Sequence, residues 1–515
     1  MKAGLSLFPV LMLTVASCTF SCKQNDMATA MRTDISAPVF PDYADTLVLP
    51  PNIAPLDFRI RSDSFSDGPY HVWLYVQSPS GALLDSLHVK TKRHVHFGTT
   101  AWQRCLQEAS QCEGSLLVDI YAKTDGNDWI KYARKTWKIV SDSIDPYLVY
   151  RLSAHDENPC RKLQVYERSL SDFSERLLMD NRFTDNNCMN CHANSDNDSR
   201  KMMVHLRGEH AGTLVIDGEK TLKIAIPEGY PDLRLAYPSW SRDGKYIAFA
   251  STRIQVHSHA NKSRTQDLVT DTLGKILLYD VERNRLFSCP ELMNERYEFS
   301  FPAWGADGKR LYFCRAEKTA RLKDFKYDLY SIDFDSKNAT FGTVKPVYGF
   351  KASGLSVSMP QADPNGRYIL ATTLLLGSFP SQNQGDLHLI DLWTGKARHP
   401  SALNSPDGEK YHHWSSNGRW VVFGSKRMNG GLSHIYISHF DRRGRFSTPF
   451  ILPQHEDNFY LKNTRSYLFP TLSRNASSLS LESWEKAVKE PAQAPDMDYF
   501  KKLHRPGART PEAGH

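Results

Sequence analysis

The sequence predicts an all-β protein, in which an N-terminal β-sandwich precedes a β-propeller of about six blades. Two observations carry this prediction. A phrase built around Asp-Gly or Asn-Gly recurs at intervals of 52 to 64 residues in the C-terminal part of the chain. Runs with strand composition, separated by turn residues, fill the segment before it. Hydrophobic residues make up 40% of the 515 residues, which is typical of a folded chain rather than a disordered one.

The repeated phrase defines the propeller. Its four clear copies begin at Pro238, Pro302, Pro360 and His413, and a decayed fifth copy begins at Pro470. In each clear copy the Gly accepts a positive φ and the preceding Asp or Asn tolerates one, which predicts a hairpin turn. The alternating apolar residues after the turn predict a strand with one buried face. A second strand phrase follows most copies, so each repeat predicts a four-stranded blade.

The phrase Trp-Ser-x-Asp-Gly-Lys-x-Ile-x-Phe that starts at Trp240, followed by Leu-Tyr-x-x-Asp, resembles the repeat of TolB-type β-propellers. The resemblance covers roughly residues 146–483 and implies about six blades, the first near Tyr147 to Ile226. The α/β domain that accompanies the propeller in TolB itself has no counterpart in this sequence. The resemblance therefore does not imply a role in the Tol system.

Residues 40–145 are predicted to form the sandwich, in an immunoglobulin-like arrangement. Tyr70 to Val76 has strand composition, and the strand-like runs Ser115 to Lys123 and Trp129 to Val140 flank a loop that contains Gly. Residues 484–515 are rich in Pro and charged residues, and we expect them to form an extended or loosely packed tail.

Residues 1–17 have the pattern of a secretory signal peptide, with Lys2, an apolar run from Leu5 to Val15 and small residues before the cut. Cys18 follows directly and resembles the acylated Cys of a bacterial lipoprotein. Cys22 is the weaker alternative, and an ordinary cleaved signal is the other. Residues 18–39 would then be a polar tether to a membrane of the Gram-negative cell envelope. Thr19, in place of Asp, favours the outer membrane and a periplasmic location.

Cys188-Met189-Asn190-Cys191-His192 is the attachment sequence of c-type haem. Cys188 and Cys191 have the spacing that reaches two vinyl groups on one haem edge, and His192 then offers an imidazole to the iron. Composition predicts roughly 0.006 chance occurrences of this pattern. The sequence thus predicts one covalent haem c, in a polar loop at about residues 180–203 inserted in the first blade.

Two other interpretations of the motif are a redox-active cysteine pair and a zinc site. A redox-active pair normally follows a strand and opens a helix, whereas the Asn- and Asp-rich flanks here indicate a loop. A zinc site needs further ligands nearby, and no second cysteine pair of this spacing occurs in the sequence.

The sequence leaves the second axial ligand of the iron open. His205 is the first candidate, because a second imidazole would give a low-potential electron-transfer haem, whereas a Met would raise the potential. Met203, His205 and Arg207 share one face of a predicted strand, so Arg207 is expected to pair with a haem propionate. The other candidates are Met202, Met203, His210, His257, His259, His412 and His413. A vacant position would make the protein a ligand binder instead of an electron carrier.

The remaining cysteines carry simpler predictions. Cys105 and Cys112 are seven residues apart and are candidates for a disulfide in an oxidising compartment. Cys160, Cys289 and Cys314 are expected in the core.

Three functions compete at this stage. The first is a membrane-anchored periplasmic monohaem cytochrome that exchanges electrons with a redox partner protein. The second is a binding or assembly scaffold of the cell envelope with a structural or sensory haem. The third is a hydrolase or oxidoreductase acting in the propeller funnel, which is disfavoured because no Gly-x-Ser-x-Gly element occurs. A net charge of +7 without a basic block does not predict a nucleic-acid partner.

Overall fold

The structure, a computed structural model, describes residues 30–61, 69–124, 128–154, 162–230, 232–257, 268–319, 324–375 and 385–503, together with positions 27, 126 and 321. Within these ranges the side chains of residues 190–191, 254–257 and 268–271 are not described. The predicted signal peptide, Cys18, Cys22, Cys160 and His259 lie outside the described residues. Among the described residues, no helix combines the length and apolar character that crossing a membrane requires.

The described part of the N-terminal region after residue 30 contains two β-sheets and the helix α1 (Thr99–Gln111). Its strands are β1 (Met31–Arg32), β2 (Val39–Phe40), β3 (Thr46–Leu49), β4 (Phe58–Ile60), β5 (Tyr70–Gln77), β6 (Leu83–Thr91), β7 (His94–Val95), β8 (Ser115–Lys123), β9 (Trp129–Lys131) and β10 (Lys135–Ile139). The larger sheet has the order β1-β9-β8-β10-β3, with β5 paired to both β8 and β6, and the smaller sheet has the order β2-β4-β7. Strand β5 buries every second side chain, as its composition predicts.

Helix α1 was not predicted from the sequence. It buries Trp102, Cys105, Leu106 and Ala109, a spacing that places all four side chains on one helical face. Cys112 lies at the end of this helix, two turns and about 10 Å along the axis from Cys105. Both thiols are free, so the proposed disulfide between them is not formed.

The rest of the chain is a closed β-propeller of six four-stranded blades, which confirms the predicted fold class. Blade 1 contains β11 (Tyr147–Ala154), β12 (Leu163–Ser169) and β13 (Glu175–Asp180), and blade 2 contains β14 (Met189–Ser195), β15 (Asp198–Leu206), β16 (Gly212–Asp217) and β17 (Lys220–Ile224). Blade 3 contains β18 (Ala236–Trp240), β19 (Tyr246–His257), β20 (Leu268–Asp280) and β21 (Arg285–Phe287), and blade 4 contains β22 (Tyr297–Trp304), β23 (Arg310–Glu317), β24 (Asp328–Asp335) and β25 (Thr340–Tyr348). Blade 5 contains β26 (Ser356–Ala362), β27 (Tyr368–Leu374), β28 (Asp386–Asp391) and β29 (Lys396–Arg398), and blade 6 contains β30 (Glu409–Trp414), β31 (Trp420–Ser425), β32 (His434–His439) and β33 (Phe450–Ile451).

The last strand among the described residues, β34 (Arg465–Ser473), completes blade 1 by pairing antiparallel with β11. The first and last strands of the propeller therefore share one sheet, and their hydrogen bonds close the ring. The decayed fifth phrase of the sequence corresponds to the end of β34. Cys289 and Cys314 are buried, as predicted.

The structure corrects the prediction that the haem motif lies in an inserted loop. Residues 180–203 contain a short 3-10 helix (Asn181–Thr184), all of β14 and the first part of β15, so they form most of an inner hairpin rather than an insertion. Asp196 and Asn197 have φ values of 45° and 54° and make the turn of that hairpin. The polar residues that indicated a loop belong to this turn. The segment predicted to form one blade, Tyr147 to Ile226, accordingly contains three strands of blade 1 and all four strands of blade 2.

The structure also corrects the prediction of a loosely packed tail, as far as residue 503. After the short helix α2 (Phe459–Lys462) and strand β34, the chain forms α3 (Leu481–Lys489) and α4 (Asp498–Leu503). Trp484 of α3 and Phe500 of α4 are fully buried in two clusters that line blade 2. These apolar anchors hold the segment against the propeller despite its Pro and charged residues.

Candidate functional site: the central tunnel

The first strands of the six blades (β14, β18, β22, β26, β30 and β34) surround a central tunnel with a cavity of about 260 Å³. Hydrogen bonds tie neighbouring strands together around it. Trp240 Nε1 donates to the Ala193 carbonyl at 3.2 Å, and Asn194 Nδ2 donates to the Leu472 carbonyl at 3.1 Å. The tunnel is thus a rigid feature formed by the whole propeller and not by one blade.

A collar of large side chains borders the tunnel. Each member lies at a register shift of an inner strand and has a positive φ, between 47° and 54°. The members are Tyr237, Phe301, Met359, Tyr411 and Phe469. In four of the five strands the next residue is Pro, which has no N–H to donate. These four Pro residues therefore offer the tunnel no backbone donor.

The Cys-x-x-Cys-His motif belongs to this collar. Cys191 lies six residues before Asn197, the same spacing that separates Tyr237 from Asp243 and Phe301 from Asp307. The pairing of β14 with β15 also shifts register between Asn190 and His192, as the other inner strands do. Cys191 and His192 thus hold the positions that an aromatic residue and Pro hold in most other blades.

His192 is a buried histidine of the tunnel wall, with 7% of its surface exposed. Its Nε2 atom has no hydrogen-bond partner among the described residues. Burial lowers the pKa of His192 to about 4 and the charge of Arg151 adds to this, while the backbones of Phe469 and Val149 act in the opposite direction. The ring is therefore neutral at pH 7, the form that accepts a hydrogen bond or binds a metal.

Two further histidines border the same tunnel. His412 donates from Nε2 to the Leu370 carbonyl at 2.8 Å, and its Nδ1 has no partner among the described residues. His413 accepts the Leu472 N–H at Nδ1, at 3.2 Å. Burial lowers the pKa of His412 to about 4 and that of His413 to about 3. From the sequence alone, both residues were only remote candidates, because the closure of the propeller is what brings β30 near the strand of His192.

The structure does not bring His205 to His192. In the β14–β15 ladder His192 pairs with Val204 and Asn190 pairs with His205, so the two histidines lie on opposite faces of the blade. His205 Nδ1 lies 3.1 Å from the Thr213 hydroxyl, and burial lowers its pKa to about 4.

The other nearby candidates are also occupied elsewhere. Met202 and Met203 are buried in two different hydrophobic clusters, one on each face of blade 2. His210 pairs with Asp185 at 3.3 Å. Arg207 is exposed, at the end of β15. Of the described candidates, His412 and His413 border the tunnel together with His192, and the pKa of His413 is influenced by His192. His257 has no described side chain.

Arg242 crosses the tunnel mouth at the end where the inner hairpins turn. Its guanidinium donates to the carbonyls of Ala306 at 3.3 Å and Pro364 at 3.1 Å, and it pairs with Asp196 at 3.3 Å. Asp196 is also paired with Arg474 at 2.8 Å. This network joins the turns of several blades and narrows the mouth.

No known protein family matches the sequence, and no curated protein is similar to it. Solved structures with a similar fold include TolB from Acinetobacter baumannii, with 14% identity over 73% of this chain and 85% of that one and a TM-score of 0.41. A putative TolB from Agrobacterium tumefaciens has 15% identity over 60% and 89% of the two chains and a TM-score of 0.36. The periplasmic gluconolactonase PpgL from Pseudomonas aeruginosa has 14% identity over 62% and 99% and a TM-score of 0.31. The six-bladed assignment rests on the strand order given above.

A covalent haem fits these residues in part. The neutral imidazole of His192, with a free Nε2, suits an axial ligand. The cysteines suit a haem edge less well, because residues 189–195 are extended and positions three apart in a strand are separated by about 10 Å. Attachment at both Cys188 and Cys191 would require the start of β14 to leave its ladder with β15.

Proposed function

We propose that this chain is a binding protein of the cell envelope and that its ligand enters the central tunnel of the propeller. The observation that carries the proposal is the composition of the tunnel wall. An apolar collar surrounds the cavity, and His192 Nε2 is a buried acceptor without a partner among the described residues. An unsatisfied buried polar group costs about 1–3 kcal/mol, which a ligand that donates a hydrogen bond there would recover.

The wall chemistry favours an extended peptide segment of a partner protein. Such a segment offers backbone N–H donors and apolar side chains in alternation, which suits the unpartnered His192 Nε2 and the aromatic rings of the wall. The envelope location comes from the N-terminal sequence, in which Cys18 would carry the lipid anchor. This proposal corresponds to the scaffold function among those that the sequence left open.

Peptide selection tests the proposal. A random dodecapeptide library displayed on phage is selected against the purified protein, and the enriched peptide is titrated by fluorescence anisotropy. We expect His192→Ala to weaken its binding about tenfold, since 1.4 kcal/mol corresponds to a factor of ten. His399→Ala is the control, because this half-exposed histidine lies outside the tunnel wall and should bind like the wild type. A library that yields no binding peptide, or equal affinity for His192→Ala, contradicts the proposal.

Covalent haem is the second candidate, because the free Nε2 of His192 lies within an attachment motif. It predicts an electron carrier or haem sensor, and it is tested by expression in a host with haem-attachment machinery. The denatured protein should then keep a haem stain that Cys191→Ala and Cys188→Ala abolish. Cys112→Ala is the matched control, since Cys112 is a partly buried cysteine outside the motif. An unstained wild-type protein rules this candidate out.

A further inference from the structure

Three histidines and two aspartates meet where the N-terminal region contacts the segment that follows blade 6. They form two overlapping sets, Asp57 with His96 and His455, and Asp457 with His94 and His96. Within each set the potential ligand atoms all lie within 4.8 Å of one another. None of these residues borders the central tunnel, so the cluster is independent of the function proposed above.

Backbone pairing places the first two members of the set together. Asp57 immediately precedes β4 and His96 immediately follows β7, and these strands pair antiparallel. The Phe97 N–H donates to Asp57 Oδ1 at 2.9 Å, which leaves Oδ2 facing the histidines. His96 Nδ1 lies 3.1 Å from this oxygen and His455 Nδ1 lies 4.0 Å from it. The carboxylate is thus oriented by the main chain before any ligand binds.

The third member comes from the propeller. Arg168, a buried residue of blade 1, donates to the Pro453 carbonyl at 2.5 Å and to Gln454 Oε1 at 2.8 Å. The His455 ring also packs against Phe173, with 5.2 Å between centroids. These contacts fix the segment that carries His455 against blade 1, so both sides of the cluster are held in place.

The three side chains have the chemistry of a site for a borderline divalent cation. Two imidazoles and one carboxylate, with a position open for water, are a common ligand set for Zn²⁺. The Asp57 side chain is 1% exposed, and its ion pairs in the described part of the chain are with histidines alone. His96 and His455 are 45% and 73% exposed, which gives an ion access from solvent.

We infer that Asp57, His96 and His455 bind one Zn²⁺ ion, which joins the N-terminal region to the propeller. Asp457 and His94, 2.5 Å apart, flank this site and share His96 with it through the second set. A bound ion would place a positive charge next to the Asp57 carboxylate, whose side chain is 1% exposed. The ion would connect two parts of the chain that are far apart in sequence.

Calorimetric titration with ZnCl₂ tests the inference on the full-length, untagged protein after treatment with a chelator. We expect one site per chain in the wild type, with affinity at least tenfold lower in His96→Ala and in His455→Ala. The His455 ring is largely exposed, so this variant should keep its fold. His399→Ala is the control, since His399 also pairs with one aspartate, Asp386, at 3.3 Å, and should bind Zn²⁺ like the wild type.

The inference fails if the wild type binds no Zn²⁺ or if His455→Ala binds it with unchanged affinity. Binding that His94→Ala abolishes while His455→Ala retains it would assign the ion to the Asp457 set and would also overturn the inference. The peptide assay of the tunnel is to be run with a chelator present, so that no ion occupies this site. Failure of this site and failure of the tunnel are then distinguished.

Discussion

Replacing Trp420 with alanine should lower the free energy of unfolding by about 3–5 kcal/mol. Trp420 is fully buried in the core that blade 6 shares with the N-terminal region. Its Nε1 donates to the Asp142 carbonyl at 2.9 Å, and its ring lies 4.9 Å from that of His439. The alanine variant leaves a cavity and removes the partner of a carbonyl that connects the two parts of the chain.

Trp393→Ala is the matched control for this measurement. Trp393 is 74% exposed, so its removal should change the free energy of unfolding by less than about 0.5 kcal/mol. Urea unfolding followed by fluorescence and circular dichroism gives both values. Equal losses for the two variants would show that the junction around Trp420 contributes no more stability than the surface.

Acidification from pH 6.5 to about pH 4 should lower the free energy of unfolding by several kcal/mol, because buried histidines must remain neutral in the folded state. Burial lowers the pKa of His192, His205 and His412 from 6.5 to about 4. Between these pH values the unfolded chain binds more protons than the folded one, so stability decreases as pH falls. One pKa unit corresponds to about 1.4 kcal/mol. Below about pH 4 the folded state also protonates, and this contribution stops changing.

The double variant His205→Gln/His412→Gln isolates this contribution. Glutamine does not titrate, so the difference in unfolding free energy between pH 7 and pH 4.5 should be smaller than in the wild type. Trp393→Ala serves as control and should keep the wild-type dependence, since it removes an exposed side chain that does not titrate. An equally steep loss of stability in the double variant would show that carboxylates dominate the acid transition.

The propeller could be predicted because its hairpin turns are determined by residues that are adjacent in the sequence. Gly244, Gly308, Gly366 and Gly418 all have φ between 64° and 73°, as the Asp-Gly and Asn-Gly phrases required. A turn of this kind depends on two adjacent residues and needs no information from elsewhere in the chain. The number of blades followed from the family resemblance.

Blade 2 was missed because its inner strand lacks these signals. Its turn is Asp196-Asn197 without Gly, and its strand carries Cys191 and His192 where other blades carry an aromatic residue and Pro. The motif was recognised by its chemistry, and the polar neighbours then suggested a loop. Comparing its distance to the turn with that in the other phrases would have revealed the strand.

Two of the helices that were not predicted, α1 and α3, have a recognisable signal in the sequence. Trp102, Cys105, Leu106 and Ala109 follow the spacing of a helical face in α1. In α3 the Ser480 hydroxyl caps the helix by accepting the Ser483 N–H at 3.2 Å. The zinc cluster, in contrast, was beyond prediction, since Asp57 and His455 meet only through the packing of the N-terminal region on the propeller.

The pairing of β34 with β11 has a consequence for the order in which the protein is made. Strand β11 (Tyr147–Ala154) is translated well before its partner, β34 (Arg465–Ser473). The edge of blade 1 must therefore stay unpaired until about residue 473 has been synthesised, and unpaired strand edges are prone to aggregate. A nascent chain of this protein would need the edge of blade 1 to be protected until β34 is available to pair with it.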